Sequence, residues 1–233
     1  MSRLSPSFAA SLRPAAALAA TLALIAHGAA HAVALTQPIS PEFSADTALP
    51  GTTSAARPEL AGTVLEDLIT PFSFEGITGT VQNRVVRETA SGTLDFYWKI
   101  KVDRMEPSVG VSGFRLTDFG HENLTDADWR FDGLGSVAPD TARLFNASSQ
   151  PGGSINFLFD SAVNAGSQSR FFFLRTSATT YSQSASFDLL GGPAKDLSPV
   201  YSTFAPAVPE PGTYALVFTG LAAVALVARR RRG

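Results

Sequence analysis

Apolar residues recur at every second position through the middle of the chain. Leu94, Phe96, Trp98, Ile100 and Val102 alternate with Asp95, Tyr97, Lys99 and Lys101, the period of a strand with one face buried and the other in water. Ile155, Phe157 and Phe159 alternate with Ser154, Asn156 and Asp160 in the same way, and Ile77, Gly79, Val81 and Val85 form a further series. At Ser112-Gly113 the phase slips between the pair Val109, Val111 and the pair Phe114, Leu116, which predicts a bulge that turns both pairs inward. Arg170 to Thr176 contains Phe171, Phe172 and Phe173 in a row and reads as a central strand covered on both faces. From Glu59 to Ile69, the residues Gly62, Thr63 and Val64 disfavour a helix, so an opening strand is expected.

Turn signals separate these runs at Ser91-Gly92, Glu106-Pro107, Asp132-Gly133, Pro151-Gly152-Gly153, Asn164-Ala165-Gly166 and Gly191-Gly192-Pro193. Roughly eight short strands with such punctuation, and no long amphipathic helix, predict an all-β fold: a single antiparallel β-sandwich, jelly-roll-like, over residues 58–206. The segment 33–57 is rich in Pro, Ser, Thr and Ala and reads as a flexible spacer. The chain has 17 Phe and no Cys, so packing alone must hold the body, and disulfides, thiolate metal sites and a cysteine nucleophile are excluded.

Both ends follow a different pattern. Arg3 and Arg13, with no acid nearby, precede an apolar stretch from Ala15 to Ile25 and a small-x-small site at Ala30-His31-Ala32. Residues 1–32 therefore read as a removable export signal, with cleavage after Ala34 as the neighbouring alternative. At the other end, the fifteen residues from Tyr214 to Ala228 carry no charge. As a helix they would reach roughly 22 Å against a hydrocarbon thickness of about 30 Å, enough to enter a bilayer but short for a stable anchor. Arg229, Arg230, Arg231 and Arg232 follow; they can snorkel to the headgroups and hold this end on the cytoplasmic side, leaving the body outside. Val208-Pro209-Glu210-Pro211 precedes the apolar run. Its prolines fix φ and lack a backbone donor, so the segment resists helix and presents an extended stretch just outside the membrane.

Val208, Pro209, Glu210 and Pro211, the short apolar run and the terminal arginines together resemble the PEP-CTERM sorting signal of Gram-negative bacteria. The resemblance implies recognition of Pro209, Glu210 and Pro211 by an exosortase, a membrane-embedded cysteine transpeptidase-like protease, and removal of the tail near the motif. It also implies a setting of exopolysaccharide production and biofilm. In that family these positions are substrate, not catalytic. The body is similar to a β-rich domain of other PEP-CTERM proteins in segments such as Pro58 to Val64, Gly79 to Gln82, Gly92 to Tyr97 and Ser169 to Phe173, a resemblance that brings no known chemistry.

Without the two terminal segments, twelve of the 18 Lys and Arg remain against 20 Asp and Glu, a net charge near −8 when Glu210 is retained. An acidic body without clustered cations offers no nucleic-acid or anionic-lipid surface. His121 would be its only histidine; Asp118 lies nearby, but no Gly-x-Ser-x-Gly turn accompanies them. One histidine cannot build a multi-histidine metal centre. No catalysis and no cofactor are expected. The acids Asp118, Glu122, Asp126, Asp128 and Asp132 suggest a Ca²⁺ loop, with Asp126, Asp128 and Asp132 as the candidate ligands. Counted from Asp128, however, the third position is Arg130 and the twelfth Pro139, so the loop is no EF-hand. A strand with Ala127, Trp129 and Phe131 inward and the carboxylates in water fits better, and no metal is expected. Tyr97 is the aromatic expected on a wet face and hence a candidate sugar platform, whereas Trp98 and Trp129 fall on apolar faces. The sequence thus predicts an exported, non-enzymatic surface or matrix protein; the alternatives are a carbohydrate-binding module or a Ca-stabilised domain delivered by the same route.

Overall fold

The longest alternating segments pair with one another. In the computed structural model, which describes residues 33–35, 46–106, 110–145, 154–192 and 194–207, β1 (Thr47–Ala48) is followed by a 3-10 turn (Pro58–Leu60), β2 (Gly62–Phe74), β3 (Ile77–Glu88), β4 (Leu94–Arg104) and β5 (Val111–Thr117). A second 3-10 turn (His121–Asn123) leads into β6 (Leu124–Trp129), β7 (Thr141–Phe145), β8 (Ser154–Val163), β9 (Phe172–Thr176), β10 (Tyr181–Gly191), β11 (Asp196–Leu197) and β12 (Tyr201–Pro206). All strand pairings in the two sheets are antiparallel. One sheet runs β1-β7-β8-β5-β10-β11 with β12 also on β10; the other runs β2-β3-β4-β9-β6. This is the expected antiparallel sandwich.

The β2–β3 hairpin turns on Glu75 and Gly76, with φ of 45° and 74°, the two-residue loop whose twist matches the strands it joins. A Cβ on Gly76 would lie 1.9 Å from the Glu106 carbonyl oxygen. The predicted bulge is present: pairing of β5 with β8 shifts register between Val111 and Gly113, and Val111, Phe114 and Leu116 are all buried. β9 lies between β4 and β6, with Phe172 and Phe173 fully buried on opposite faces of the sheet.

The main core fills the space between the sheets and is largely aromatic. Phe172 meets Phe157 at 4.7 Å, Phe114 at 5.2 Å and Phe159 at 5.8 Å between ring centres, within the range of favourable aromatic pairing. One polar chain crosses this core. The Trp98 indole N–H donates to Thr203 Oγ1 at 2.9 Å, and the Thr203 hydroxyl donates to Asn83 Oδ1 at 2.9 Å. Since β3 and β4 belong to one sheet and β12 to the other, these bonds tie the sheets together where the indole would otherwise bury an unpaired donor.

Within the segment 33–57, expected as a spacer, the described residues include several that are held against the body. The Val33 carbonyl accepts from the Ala127 amide, Thr47 and Ala48 pair with β7, and Leu35, Leu49, Thr52 and Arg57 are buried. Two side chains make these contacts specific: the Leu49 carbonyl accepts from the Trp129 indole at 3.0 Å, and Arg57 reaches a buried carboxylate on β6.

Candidate functional site

The five-stranded sheet has two occupied faces. Val81, Val85, Phe96, Trp98 and Ile100 enter the main core, while Leu60, Val86, Tyr97, Phe171 and Phe173 form a second, smaller cluster. The register brings the outward residues of adjacent strands together: Gln82 faces Lys99, Arg84 faces Tyr97, Tyr97 faces Phe173, Asp95 faces Arg175, and Arg175 faces Asp126. The chain around residues 51–60 lies over part of this face, placing Arg57, 1% exposed, against Asp126.

This covering segment determines the fate of the acidic cluster. Asp126 accepts a two-pronged contact from the Arg57 guanidinium at 2.9 and 3.0 Å and a longer one from Arg175 at 3.4 Å. Arg175 also pairs with Glu88 and stands 3.8 Å from Asp95. Asp128 accepts from the backbone amides of Gly51 at 2.8 Å and Trp129 at 2.9 Å. Asp132 pairs with Arg130 and accepts from Ser54. The expectation of carboxylates in water is therefore corrected: Asp126 and Asp128 are fully buried, while Phe131, expected inward, is 51% exposed. Asp126, Asp128 and Asp132 each engage a separate cation or amide set. Among the described residues, no three His, Asp or Glu side chains are grouped to hold a metal ion.

Burial without sufficient counter-charge perturbs two of these acids. Desolvation, reinforced by the negative charge of Glu88, pushes Asp95 up to about 8. Desolvation likewise raises Asp128 to about 6, although the Trp129 and Gly51 amides act in the opposite sense. Glu88 shifts down because hydrogen bonds from Arg175 and Ser91 outweigh its own burial. Asp95 stands in an ion network with Glu88 and Arg175, whereas Asp128 is held by backbone amides.

Beside the covered region the same face opens into a cavity of about 390 Å³. Tyr97 and Phe171 line it with Arg84, Lys99, Arg130 and Asp132, and Val64 and Leu134 stand on its walls. Tyr97 is only 5% exposed, which corrects its expected place on a wet face. Its ring packs on Phe173 at 5.1 Å, and its hydroxyl accepts from Arg130 at 3.4 Å. Trp98 and Trp129 are buried as expected. The sequence reading did not single out Arg57, Arg84 or Lys99. The visible trace of the last two is alternation, since Gln82 and Arg84 occupy successive outward positions of β3, as Lys99 and Lys101 do on β4.

The sequence-derived sorting residues Val208, Pro209, Glu210 and Pro211, the signal positions Ala30 and Ala32, the apolar run from Tyr214 to Ala228, and Arg229 to Arg232 lie outside the described residues. Among the described residues no helix is long and apolar enough to cross a membrane. No curated protein and no solved structure matches the chain. A family model does match its carboxy-terminal segment, at the position where motif, apolar run and arginines stand together: residues 207–232 match the PEP-CTERM protein-sorting motif, which supports export and sorting by an exosortase.

Proposed function

We propose that this chain is a surface or extracellular-matrix protein of an exopolysaccharide-producing cell and that its β-sandwich acts there without catalysis. The amino-terminal signal would direct export and be removed after Ala32. The apolar run would then hold the chain in the inner membrane, with Arg229 to Arg232 on the cytoplasmic side, until exosortase cuts near Pro209-Glu210-Pro211. The carrying observation is the sorting-motif match at residues 207–232. An uncharged run of fifteen residues favours brief membrane residence, since about twenty apolar residues are usual for a stable span. The acidic balance of the body disfavours later attachment to anionic lipid.

The test is the intact mass of the chain in the medium and in the membrane fraction, with and without exosortase. Secreted material lacking both residues 1–32 and the tail beyond the motif is expected. Without exosortase, the tail should remain and the chain should accumulate in the membrane. Recovery from the cytosol with both ends uncut would overturn the proposal.

A further inference from the structure

The cavity on the outer face of the five-stranded sheet is short of negative charge. Lys99 Nζ lies 4.9 Å and the Arg84 guanidinium carbon 4.8 Å from the centre of the same ring, that of Phe171. One carboxylate, Asp67, serves this pair: it bonds Arg84 at 2.7 Å and also accepts from Gln82 at 2.6 Å. Among the described residues Lys99 has no ion pair or hydrogen bond, and the buried Arg84 Nε has no partner. Two cations held together over one ring, with a single carboxylate bonded to Arg84 on the side away from Lys99, leave room for one more negative charge. The lowered pKa of Lys99, due to burial and then to Arg84, agrees with that geometry.

The rest of the cavity defines the body that carries the charge. On the opposite wall Arg130 is already neutralised by the two-pronged contact with Asp132 at 2.7 and 2.9 Å, so that wall offers donors and acceptors with no net charge. Val64 is 48% and Leu134 71% exposed, giving aliphatic surface to a ligand with an apolar face. The volume of about 390 Å³ suits one or two sugar rings, at the small end of ordinary ligand sites. The acidic body would repel a long polyanion laid across its surface, whereas one acidic residue of a chain can enter the cavity alone.

We infer that this cavity binds a carboxylate-bearing sugar residue, its carboxylate between Lys99 and Arg84, its hydroxyls toward Arg130 and Asp132, and its C–H face against Val64 and Leu134. Arg84 provides the planar donor set suited to a carboxylate, and Lys99 supplies the uncompensated charge. The proposal does not depend on how the tail is processed.

The test is calorimetric titration of the full chain in detergent with a glucuronate-containing trisaccharide, a neutral glucose trisaccharide and acetate. The acidic saccharide should bind, with the neutral one about tenfold weaker or worse, because a charged hydrogen bond is lost. Acetate at equal concentration should not compete. Lys99→Met should lose about tenfold or more, and Lys101→Met, whose lysine pairs with Asp103 outside the cavity, should bind as the parent does. A second readout needs no variant: saturation with the acidic saccharide should raise the Lys99 ammonium pKa, followed by NMR. Equal binding of acidic and neutral sugars, binding of neither, competition by acetate, an unchanged Lys99→Met or an unmoved ammonium would each overturn the inference. None of these outcomes would alter the masses that test export and cleavage, so the two proposals fail separately.

Discussion

Arg57 is the residue whose loss should be felt most widely. Its guanidinium neutralises Asp126, and both side chains are almost fully buried. Truncation would leave this buried carboxylate only the longer contact from Arg175 at 3.4 Å, at a cost of about 3 kcal/mol. Arg57→Ala is therefore expected to lower the urea midpoint sharply. Arg57→Lys should recover only part of the loss, because an ammonium cannot reproduce the two-pronged contact. Tryptophan fluorescence can report both, since Trp98 and Trp129 are buried. Thr203 presents a milder case: Thr203→Val keeps the shape but leaves the Trp98 N–H and Asn83 Oδ1 without their shared partner. A loss of about 1–3 kcal/mol is expected, with Thr203→Ser retaining most of the stability; equal stability of Val and Ser variants would show that the bridge contributes little.

At the level of elements, the β2–β3 hairpin carries a sharp expectation. A side chain at Gly76 would require a left-handed residue and also collide with the Glu106 carbonyl. Gly76→Ala should therefore destabilise by about 1–3 kcal/mol, whereas Gly92→Ala, with open space around its Cβ position at φ 75°, should cost less; chemical denaturation of the two variants separates collision from backbone strain. The inward faces of such hairpins were legible in the sequence, because burial of Leu94, Phe96, Trp98, Ile100 and Val102 follows directly from a period of two. The outward face was not. Alternation says that Asp95, Tyr97 and Lys99 point away from the core but is silent on what covers them. The cover comes from a different part of the chain, since Arg57 and Asp126 are 69 positions apart. Composition made that cover look like a spacer. The cavity was hidden for a related reason: Arg84 and Lys99 become neighbours over Phe171 only through the strand register and the return of the chain into β9. The terminal sorting motif needed no such contacts, because motif, apolar run and arginines are contiguous in the chain.

For the molecule as a whole, the acids whose pKa values are shifted set the dependence of stability on pH, and they divide into two groups of opposite sign. Asp46, Glu59, Asp67, Glu88 and Asp132 are held below the usual carboxylate range, each hydrogen-bonded by an arginine or by neighbouring donors. Their contribution is present above the ordinary carboxylate pKa and is lost as pH falls through their lowered values. Asp95 and Asp128 are raised, to about 8 and about 6, chiefly by burial. Their contribution is complete below the ordinary aspartate value and disappears as pH rises through those two figures, because the folded state must then ionise a carboxyl that it holds more favourably as the acid. The opposed limbs place maximal stability in the mildly acidic range, with a decline toward pH 9 that a body governed only by its surface acids would not show. Asp95→Asn isolates the alkaline limb: the amide keeps the shape, can still donate toward Glu88 and cannot ionise. Thermal melts from pH 3 to 9 should find variant and parent alike near pH 4, with the variant gaining on the order of 5 kcal/mol by pH 9. A parallel pair of curves would mean that Asp95 does not titrate in this window and that Arg175, 3.8 Å away, already compensates its charge.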